Sequence, residues 1–415
     1  MLRLNIDPLN LPNLAQQAGS CREKRGHNTN KYFLHKFLLQ QIAKGYSFWE
    51  EGKIYLLSQQ GEEDIELVLE HSLLHRPRSN MGKIGYRLEV FDQQSLAGSG
   101  SQGRVNRSLA TLALSDNDLV IKNNKQRVIK FFHPNANPKS EAMAARLTKH
   151  LHAKDLVNLK SADTVPAFAL VMRKVGDMTL KQYLTLPHTD FMRIQLCIAL
   201  INAYIDEVQS VGLVHRDIKP DNIMIQQDED ITVHIVDYAN ARILMPTVGS
   251  EASSSPLMQL PELQQQQEES LIELFDTNKD SFNACVEQQK RQERKQLHFY
   301  GTIGYIPPEG YASEVSITKE YDYFAIARVL AEIWGLQVGG RSIVSYEEAK
   351  ADAARTSYVN KLPITFCPPF KNSLENYLTN LAQLNPDMRP DLEDGLEIFT
   401  QALGNAHNLA KVKPF

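Results

Sequence analysis

Cysteine is scarce in this sequence, and its placement excludes two kinds of site. The 415 residues contain four cysteines, which lie far apart and never form a Cys-x-x-Cys pair. A disulfide framework and a zinc site both need cysteines at short, regular spacings, so neither is expected. The few isolated thiols indicate a reducing compartment.

The sequence also lacks a strong charge of one sign and a long apolar run. Its formal charge is −4, which gives no indication of a nucleic-acid partner or a membrane surface. The most apolar stretch, residues 191–205, contains Arg193, Gln195 and Asn202, so we expect no membrane span. No basic segment followed by an apolar one opens the chain, and no signal peptide is predicted. These absences predict a soluble, cytoplasmic protein.

The pattern of apolar residues changes along the chain and predicts several regions. Residues 83–175 are rich in strand patterns, whereas residues 176–405 are mainly helical. Within the second region, residues 246–297 are rich in Gln, Glu and Ser, which predicts a flexible insertion. An extension, 1–82, precedes these regions and a short tail, 406–415, follows them. The fold class is therefore α+β.

Several elements can be predicted individually. Residues 31–45 form an amphipathic pattern that ends at Gly45. A second helical pattern runs over 190–212, with Asp190 as the candidate N-cap and Gly212 as the stop. The runs NIMI and TVHIVD predict a hairpin, and YDYFAIARVLAEIWG predicts a helix.

A glycine run lies in the strand-rich region. LAGSGSQGRV contains Gly98, Gly100, Gly103 and Val105 in the pattern G-x-G-x-x-G-x-V. Glycines let backbone N–H groups approach phosphate oxygens closely. Dinucleotide-binding folds share the pattern, but there a helix should follow, whereas GRVNRSLATL predicts a strand.

The stretch VHRDIKPDNIMI concentrates chemistry that an ordinary turn does not need. Its polar groups are His215, Arg216, Asp217, Lys219 and Asn222. Downstream, Asp237 ends an apolar strand, and GTIGYIPPE carries Pro307, Pro308 and Glu309. Upstream, RVIKFF carries Lys130, and Glu141 opens the next helical pattern.

These pieces occur in one order and resemble a eukaryotic-type protein kinase over about residues 83–400. The resemblance implies a bilobal fold with a strand-rich N-lobe and a helical C-lobe. It also implies ATP as the phosphate donor and Mg²⁺ as the metal, with protein substrates. Phosphoryl transfer needs alignment of the reactants and neutralisation of charge more than covalent help. The resemblance implies that the glycine run supplies part of this by covering the phosphates.

The resemblance also implies a role for each matched residue. Asp217 orients the substrate hydroxyl and accepts its proton, Lys219 lies near the transferring phosphate, and Asn222 and Asp237 ligate Mg²⁺. The remaining candidates are, in the catalytic stretch, Arg216, and for the nucleotide, Gly98, Gly100, Gly103, Val105, Lys130, Glu141, Met172 and Val175.

Two lysines compete for the role of holding the α- and β-phosphates. LVIK carries Lys122 and RVIK carries Lys130. Lys122 has the family's more usual distance to Glu141, but it precedes NNKQ, a turn. We predict that LVIKNNKQRVIKFF forms a hairpin and favour Lys130, on its second arm.

Four further matches refine the resemblance. In that family a lysine at the position of Lys219 marks serine/threonine kinases, and Thr302 matches a threonine that contacts it. Asp322 matches a buried aspartate of the long central helix. Arg389 matches an arginine that pairs with the residue matched by Glu309.

The triplet that begins at Asp237 departs from the family. Ala239 replaces the glycine of Asp-Phe-Gly, and Tyr238 takes the place of phenylalanine. Because a Cβ disfavours positive φ, we expect Ala239 to stiffen this hinge and to favour the metal-competent arrangement.

The segment between Asp237 and Glu309 is unusually long, 72 residues from one to the other. Residues 282–299 contain no serine or threonine, so the usual phosphorylation position is empty. Arg216 then pairs with a carboxylate such as Glu293, or control takes another form. We expect activity that does not depend on phosphorylation of this segment.

Three function classes remain: an active Ser/Thr protein kinase, a nucleotide-binding pseudokinase or scaffold, and a small-molecule phosphotransferase. The first is favoured because each catalytic position has a candidate, and the third typically lacks the GTxGYxPPE segment. Residues 1–82 or 246–297 could bind a partner. By analogy, the insertion, the extension and the predicted VIKNNKQRVIK hairpin resemble effector kinases that intracellular bacterial pathogens deliver into host-cell cytosol. A cytosolic host kinase of a divergent group is the alternative.

Overall fold

The computed structural model divides the chain into two compact units. The amino-terminal unit is Met1–Lys174 and the carboxy-terminal unit is Val175–Phe415. The structure describes residues 2–6, 29–45, 48–49, 53–57, 65–69, 72–75, 85–91, 96–100, 102–114, 119–122, 127–134, 136–153, 155–159, 167–244, 301–312, 317–337, 343, 345–365 and 367–412. The predicted insertion lies outside these residues, whereas residues 406–412 of the predicted tail continue the last helix and only 413–415 lie outside.

The amino-terminal unit is built mainly of strands. They are β1 Leu2–Ile6, β2 Phe48–Trp49, β3 Lys53–Leu57, β4 Ile65–Leu69, β5 Ser72–His75, β6 Tyr86–Val90, β7 Leu96–Gly100, β8 Gly103–Ser108, β9 Ala110–Leu114, β10 Leu119–Lys122, β11 Arg127–Phe132, β12 Asp155–Leu159 and β13 Ala167–Arg173. Its helices are α1 Thr29–Lys44, which Gly45 ends with a positive φ as predicted, and α2 Pro138–Leu147.

The strands of this unit form three sheets. Sheet A has the order β1-β4-β3, sheet B the order β10-β9-β6-β5-β2, and sheet C the order β12-β13-β11-β8-β7. Sheet B joins strands from both sides of residue 82, since β5 pairs antiparallel with β6. Sheet C carries the glycine run on β7 and β8 and Lys130 on β11.

The predicted hairpin over residues 119–132 is wrong. β10 pairs with β9 in sheet B, whereas β11 pairs with β8 on one side and with β13 on the other. Both edges of β11 are therefore filled, and its backbone N–H and C=O groups have no bonding edge left for β10. Lys122 and Lys130 consequently lie in different sheets.

GRVNRSLATL is extended, as predicted, but it is interrupted once. Ser108 ends β8 in sheet C and Ala110 begins β9 in sheet B, so Leu109 lies at a corner between sheets. The Leu109 backbone N–H donates to the carbonyl oxygen of Val90 at 2.8 Å, which fixes the corner against β6.

A fully buried carboxylate, that of Glu89 on β6, lies at this corner. Its hydrogen-bond partners are the side chains of His75, Ser108, Thr111 and Arg127. Burial alone would raise the pKa of Glu89, but His75, Arg127 and Thr111 outweigh it, and the net pKa lies below its ordinary value of 4.5. The carboxylate is therefore ionised and paired inside the unit.

The carboxy-terminal unit is mainly helical. Its helices are α3 Leu180–Tyr183, α4 Asp190–Glu207, α5 Glu320–Ile333, α6 Tyr346–Arg355, α7 Pro368–Leu381 and α8 Leu392–Val412. Its strands are β14 Met178–Thr179, β15 Leu213–Val214, β16 Ile223–Gln227, β17 Ile231–Ile235 and β18 Arg242–Ile243. The predicted hairpin is confirmed as β16–β17, in antiparallel register, and the helix predicted over 321–335 is confirmed as α5, Glu320–Ile333.

The beginning of α4 differs by one residue from the prediction. Thr189, not Asp190, is the N-cap, because its side chain accepts from the Met192 backbone N–H at 3.2 Å. Asp190 is the first helical residue, where its charge still favours the helix dipole. After α4 a short 3₁₀ turn ends at Gly212, whose φ of 69° reverses the chain into β15.

Among the helices in the described part of the chain, none is both long enough and apolar enough to cross a membrane.

The buried Glu89 carboxylate should make the amino-terminal unit sensitive to acid. A folded-state pKa below the unfolded one contributes stability above about pH 4.5, and this contribution is lost as the pH falls through the folded value. Glu89→Gln should therefore cost about 2–4 kcal/mol at pH 7 and progressively less toward pH 3.

Urea unfolding at pH 7, 4 and 3 measures this difference. The matched control is Glu229→Gln, at an exposed position in the turn between β16 and β17. A Glu89→Gln deficit that stayed constant with pH would contradict the assignment.

Candidate active site

In the carboxy-terminal unit, three side chains hold the buried carboxylate of Asp217. Its Oδ1 accepts from Thr302 Oγ1 at 2.7 Å, and its Oδ2 accepts from Lys219 Nζ at 2.9 Å and from Asn222 Nδ2 at 3.1 Å. Lys219 Nζ also donates to Thr302 Oγ1 at 2.7 Å, which closes a ring. The sequence placed these four residues in one site, and in this unit they lie within hydrogen-bond distance.

Asp322 on α5 holds the turn that carries Asp217 by hydrogen bonds to its backbone. The Asp322 carboxylate accepts the backbone N–H of His215 at 2.6 Å and that of Arg216 at 2.8 Å. It also accepts the Tyr204 hydroxyl at 3.0 Å. Burial raises the pKa of Asp322, and this effect outweighs the lowering by His215 and by the hydrogen bonds from Arg216 and Tyr204. The net pKa lies above its ordinary value of 3.8. Asp322 is fully buried, as predicted, and fixes two successive peptide groups of the turn.

Asn222 and Asp237 are brought together by the β16–β17 hairpin. Asn222 directly precedes β16, and its carbonyl oxygen accepts the Val236 backbone N–H at 2.9 Å, next to Asp237. The Asn222 side-chain nitrogen donates to Asp217, so its amide oxygen is the atom suited to a metal. An amide and a carboxylate oxygen fit Mg²⁺, which prefers hard oxygen ligands.

Gly301 has a role that sequence reasoning missed. Its φ is 123°, and a Cβ there would lie 2.5 Å from the Arg216 carbonyl oxygen. Only glycine allows this close approach, which places the next residue, Thr302, against the Asp217 carboxylate. The signal was available, since glycine precedes threonine in GTIGY, but the sequence does not show which backbone it approaches.

Arg216 itself has a positive φ of 63°, and its Nε donates to the Asn240 carbonyl oxygen at 2.5 Å. The suggested partner Glu293 lies outside the described residues. Arg216 thus binds the backbone three residues after Asp237, which links the turn that carries Asp217 to the start of the long segment.

Ala239 lies in an ordinary backbone conformation. Tyr238, Ala239 and Asn240 form a 3₁₀ turn, and the positive φ, 67°, belongs to Asp237. A Cβ at residue 239 therefore meets no forbidden backbone conformation here. The Tyr238 ring is buried and packs edge-on against His215, with centroids 4.9 Å apart. The preference for a metal-competent arrangement stays a prediction.

In the amino-terminal unit, Lys130 and Glu141 form a buried ion pair. Lys130 Nζ donates to Glu141 Oε1 at 2.6 Å, and the residues are only 5% and 2% exposed. Glu141 lies in the first turn of α2, which Asn137 caps by accepting from the Ser140 N–H. Because a lone buried charge is costly, each side chain needs the other in this interior.

The glycines of the run have different environments. Gly103 is buried, and a Cβ there would collide with the Phe131 carbonyl oxygen on β11. Gly98 and Gly100 on β7 are exposed, and a Cβ at either would meet no described atom within 4 Å. Thus Gly103 is required by strand packing, whereas packing leaves Gly98 and Gly100 free for another role.

The other nucleotide candidates lie nearby in sequence and register. Val105 pairs with Lys130 across β8 and β11, and Met172 on β13 pairs with Val128 on the other side of β11. Val175 is buried and begins the carboxy-terminal unit.

The predicted pair of Glu309 and Arg389 is confirmed, and it is stronger than an exposed ion pair. Arg389 Nη1 and Nη2 donate to the two Glu309 carboxylate oxygens at 2.6 and 2.9 Å. The Arg389 side chain is fully buried and also donates to the backbone carbonyls of Glu320 and Gln383. Such bidentate geometry fixes the end of the GTIGYIPPE segment against α5.

Comparison with known proteins gives one domain match. The protein kinase domain matches residues 91–270. Serine/threonine-protein kinase PrkC of Bacillus subtilis (strain 168) is 28% identical over 166 residues, 37% of this chain and 24% of that protein. Stress-activated protein kinase JNK of Suberites domuncula is 28% identical over 152 residues, 35% of this chain and 39% of that protein.

A shorter match is closer in sequence. Serine/threonine-protein kinase RAD53 of Saccharomyces cerevisiae is 47% identical over 36 residues, 9% of this chain and 4% of that protein. The chain thus spans between 4% and 39% of the length of these three relatives.

The different environments of the glycines predict different costs of substitution. Gly103→Ala should lower the free energy of unfolding by about 1–3 kcal/mol, because β8 must shift from β11. Gly98→Ala and Gly100→Ala should stay within about 0.5 kcal/mol of the parent chain. Urea unfolding of the three variants measures this, and equal losses for all three would contradict it.

Proposed function

We propose that this chain, which carries a protein kinase domain of the serine/threonine type, transfers the γ-phosphate of ATP to hydroxyl groups of protein substrates. The observation that carries the proposal is the ring of Asp217, Lys219, Asn222 and Thr302. A carboxylate held in one orientation beside a lysine and an amide suits a site that aligns a hydroxyl with a phosphate.

In this proposal Asp217 acts as the base. It accepts a hydrogen bond from the substrate hydroxyl and takes the proton as the new O–P bond forms and the bond between the β- and γ-phosphates breaks. The ADP oxygen leaves with the electron pair. Such a base typically contributes about 10²–10⁴ in rate. Lys219, already bound to Asp217, stays beside the transferred phosphate and offsets its charge.

The metal and nucleotide are assigned by the same logic. Mg²⁺, when bound, neutralises the charge of the β- and γ-phosphate oxygens, and Asn222 and Asp237 would hold it. Lys130, fixed by Glu141, would bind the α- and β-phosphates. Backbone N–H groups of the run that contains Gly98 and Gly100 would face the phosphate oxygens, with Gly103 and Val105 supporting the strand. Met172 and Val175 would contact the base.

The contact between Lys219 and Thr302 supports serine or threonine as the acceptor. Lys219 Nζ and Thr302 Oγ1 lie 2.7 Å apart, and both donate to the Asp217 carboxylate. A substrate hydroxyl must therefore approach the remaining lone pairs of that carboxylate. A short hydroxyl-bearing side chain reaches such a buried carboxylate from a backbone held close to it, whereas a tyrosine must stand farther away.

A pseudokinase remains the alternative, and turnover separates the two. Each position that the reaction needs has its residue in the described part of the chain, which favours the enzyme. We further propose that activity does not require phosphorylation of the segment after Asp237, since Arg216 already binds the Asn240 carbonyl oxygen. Treatment with phosphatase should then leave the rate unchanged.

The place of action and the partners are separate proposals. We propose a cytoplasmic enzyme, with residues 1–82 or 246–297 as candidate partner-binding segments. Action in the cytosol of a host cell, as an effector of an intracellular bacterium, is proposed by analogy from the biased composition of residues 246–297 and from the extension 1–82. A translocation assay with a reporter fused to the chain tests it, and retention of the fusion in the bacterium would overturn it.

Asp217→Asn should strongly slow phosphate transfer while keeping the fold. The amide preserves the shape of the carboxylate but cannot accept the proton, so the rate should fall by about 10²–10⁴. Intact-mass analysis after incubation with Mg-ATP and a mixed peptide substrate measures the product. Asp228→Asn, at an exposed carboxylate in the β16–β17 turn, is the control, and it should keep full activity.

The two candidate lysines can be told apart by ATP affinity. Lys130→Met should raise the KM for ATP at least about tenfold and lower kcat, because it leaves Glu141 without its ion pair and the phosphates without a cation. Lys122→Met should change both values by less than about twofold. The opposite outcome would transfer the role to Lys122.

A further inference from the structure

The Glu89 carboxylate lies at the corner between sheets B and C, where the chain leaves β8, the strand that begins with Gly103. Ser108 is the last residue of β8, and its hydroxyl donates to Glu89 Oε2 at 2.7 Å. Thr111 on β9 donates to the same oxygen at 2.5 Å. One carboxylate oxygen therefore fixes both sides of the corner.

The other carboxylate oxygen joins two further strands. Arg127, the first residue of β11, donates to Glu89 Oε1 at 3.3 Å, and His75, the last residue of β5, lies 3.0 Å from the same atom. Arg127 is three residues before Lys130 and pairs in register with Ser108. The Glu89 carboxylate thus holds the first residue of β11, the strand that carries Lys130, and the last residue of β8. We call Glu89 and its four partners, His75, Ser108, Thr111 and Arg127, the anchor.

Apolar contacts on the same side of β11 as Arg127 support the anchor. Leu73 on β5 and Phe91, just after β6, share a core cluster with Ile129 and Phe131. The rings of Phe91 and Phe131 are 5.2 Å apart. Since strand side chains alternate, Arg127, Ile129 and Phe131 share one face of β11, and Lys130 projects from the other. Strands β5 and β6 therefore support the back of the strand that carries Lys130.

Two of the residues in this arrangement, Glu89 and His75, precede the matched protein kinase domain, which begins at residue 91. His75 moreover lies within residues 1–82, which the sequence pattern predicts to be an extension that precedes the kinase-like region.

We propose that Glu89 and Arg127 are positioning residues for the nucleotide, and that His75 makes the upstream segment an integral part of the phosphate-binding unit. The inference rests on the proposed function, because it assigns ATP to Lys130. The anchor holds the start of β11 in place, so that the Lys130 ammonium stays where it meets both Glu141 and the phosphates.

The anchor makes a specific kinetic prediction. Loosening β11 should weaken ATP binding, but it should not alter the binding of the peptide substrate, whose hydroxyl is proposed to meet Asp217 in the carboxy-terminal unit. General destabilisation acts differently, because it lowers the fraction of active enzyme. It therefore lowers the apparent kcat, whichever substrate is varied, without changing the KM for ATP or for peptide.

The test is steady-state kinetics of Arg127→Ala, with ATP and a peptide substrate varied in turn. The Arg127 side chain is only 14% exposed, but its removal leaves three donors on Glu89, so the chain should still fold. We expect the KM for ATP to rise about five- to tenfold, the range for losing one buried hydrogen bond to a charged group. The KM for peptide should change by less than about twofold.

Two further variants complete the experiment. Arg127→Lys keeps the charge and should restore most of the ATP affinity. Arg107→Ala removes the same charge from an exposed position of β8 in the same sheet and should leave both KM values unchanged. Glu89→Gln should reproduce the defect of Arg127→Ala, with calorimetric binding of Mg-ADP as a second readout.

Each outcome decides one question. A lower melting temperature with an unchanged KM for ATP in Arg127→Ala and Glu89→Gln would show that the anchor is merely structural, and would overturn the inference. Equal effects of Arg107→Ala would also overturn it, since charge alone would then be responsible. If the parent chain binds Mg-ADP but transfers no phosphate, the proposed function fails, while the effect of the anchor on nucleotide affinity is still measured.

Discussion

The structure of the candidate site depends on one interaction, the capture of two successive backbone N–H groups by the Asp322 carboxylate. Arg216 adopts a left-handed conformation that ordinary side chains disfavour, at a cost of the order of 1 kcal/mol. The buried carboxylate offsets that cost, because leaving its donors or its own charge unsatisfied inside the unit would cost more. The turn therefore has one conformation, and Asp217 inherits its orientation from it.

Much of this site could be predicted from the sequence, for a physical reason. Asp217, Lys219 and Asn222 lie within six positions, so short-range geometry alone keeps them together once the turn is fixed. Thr302 is 85 residues from Asp217, and only its match to a family motif could place it. The close approach of Gly301 to the Arg216 carbonyl is a property of two backbones, and no single-position pattern reveals it.

The errors have a common origin as well. LVIKNNKQRVIKFF has the local pattern of a hairpin, but partners distant in sequence, β8, β9 and β13, compete for its strands and win. The burial of Glu89 was not predicted, because the groups that pair with it come from four separate segments. Thr189 displaced Asp190 as the cap because either residue can accept the bond, and helix boundaries are uncertain by a residue or two.

The central place of β11 in sheet C has a consequence for how the unit opens. Its peptide groups are bonded on both edges and its apolar face is covered, so no local fraying can expose them to water. The amide hydrogens around Lys130 should therefore exchange with deuterium only when the entire sheet separates, which makes them reporters of cooperative opening. The backbone amide of Lys130, the residue proposed to bind the phosphates, would then be among the last in this unit to exchange with solvent.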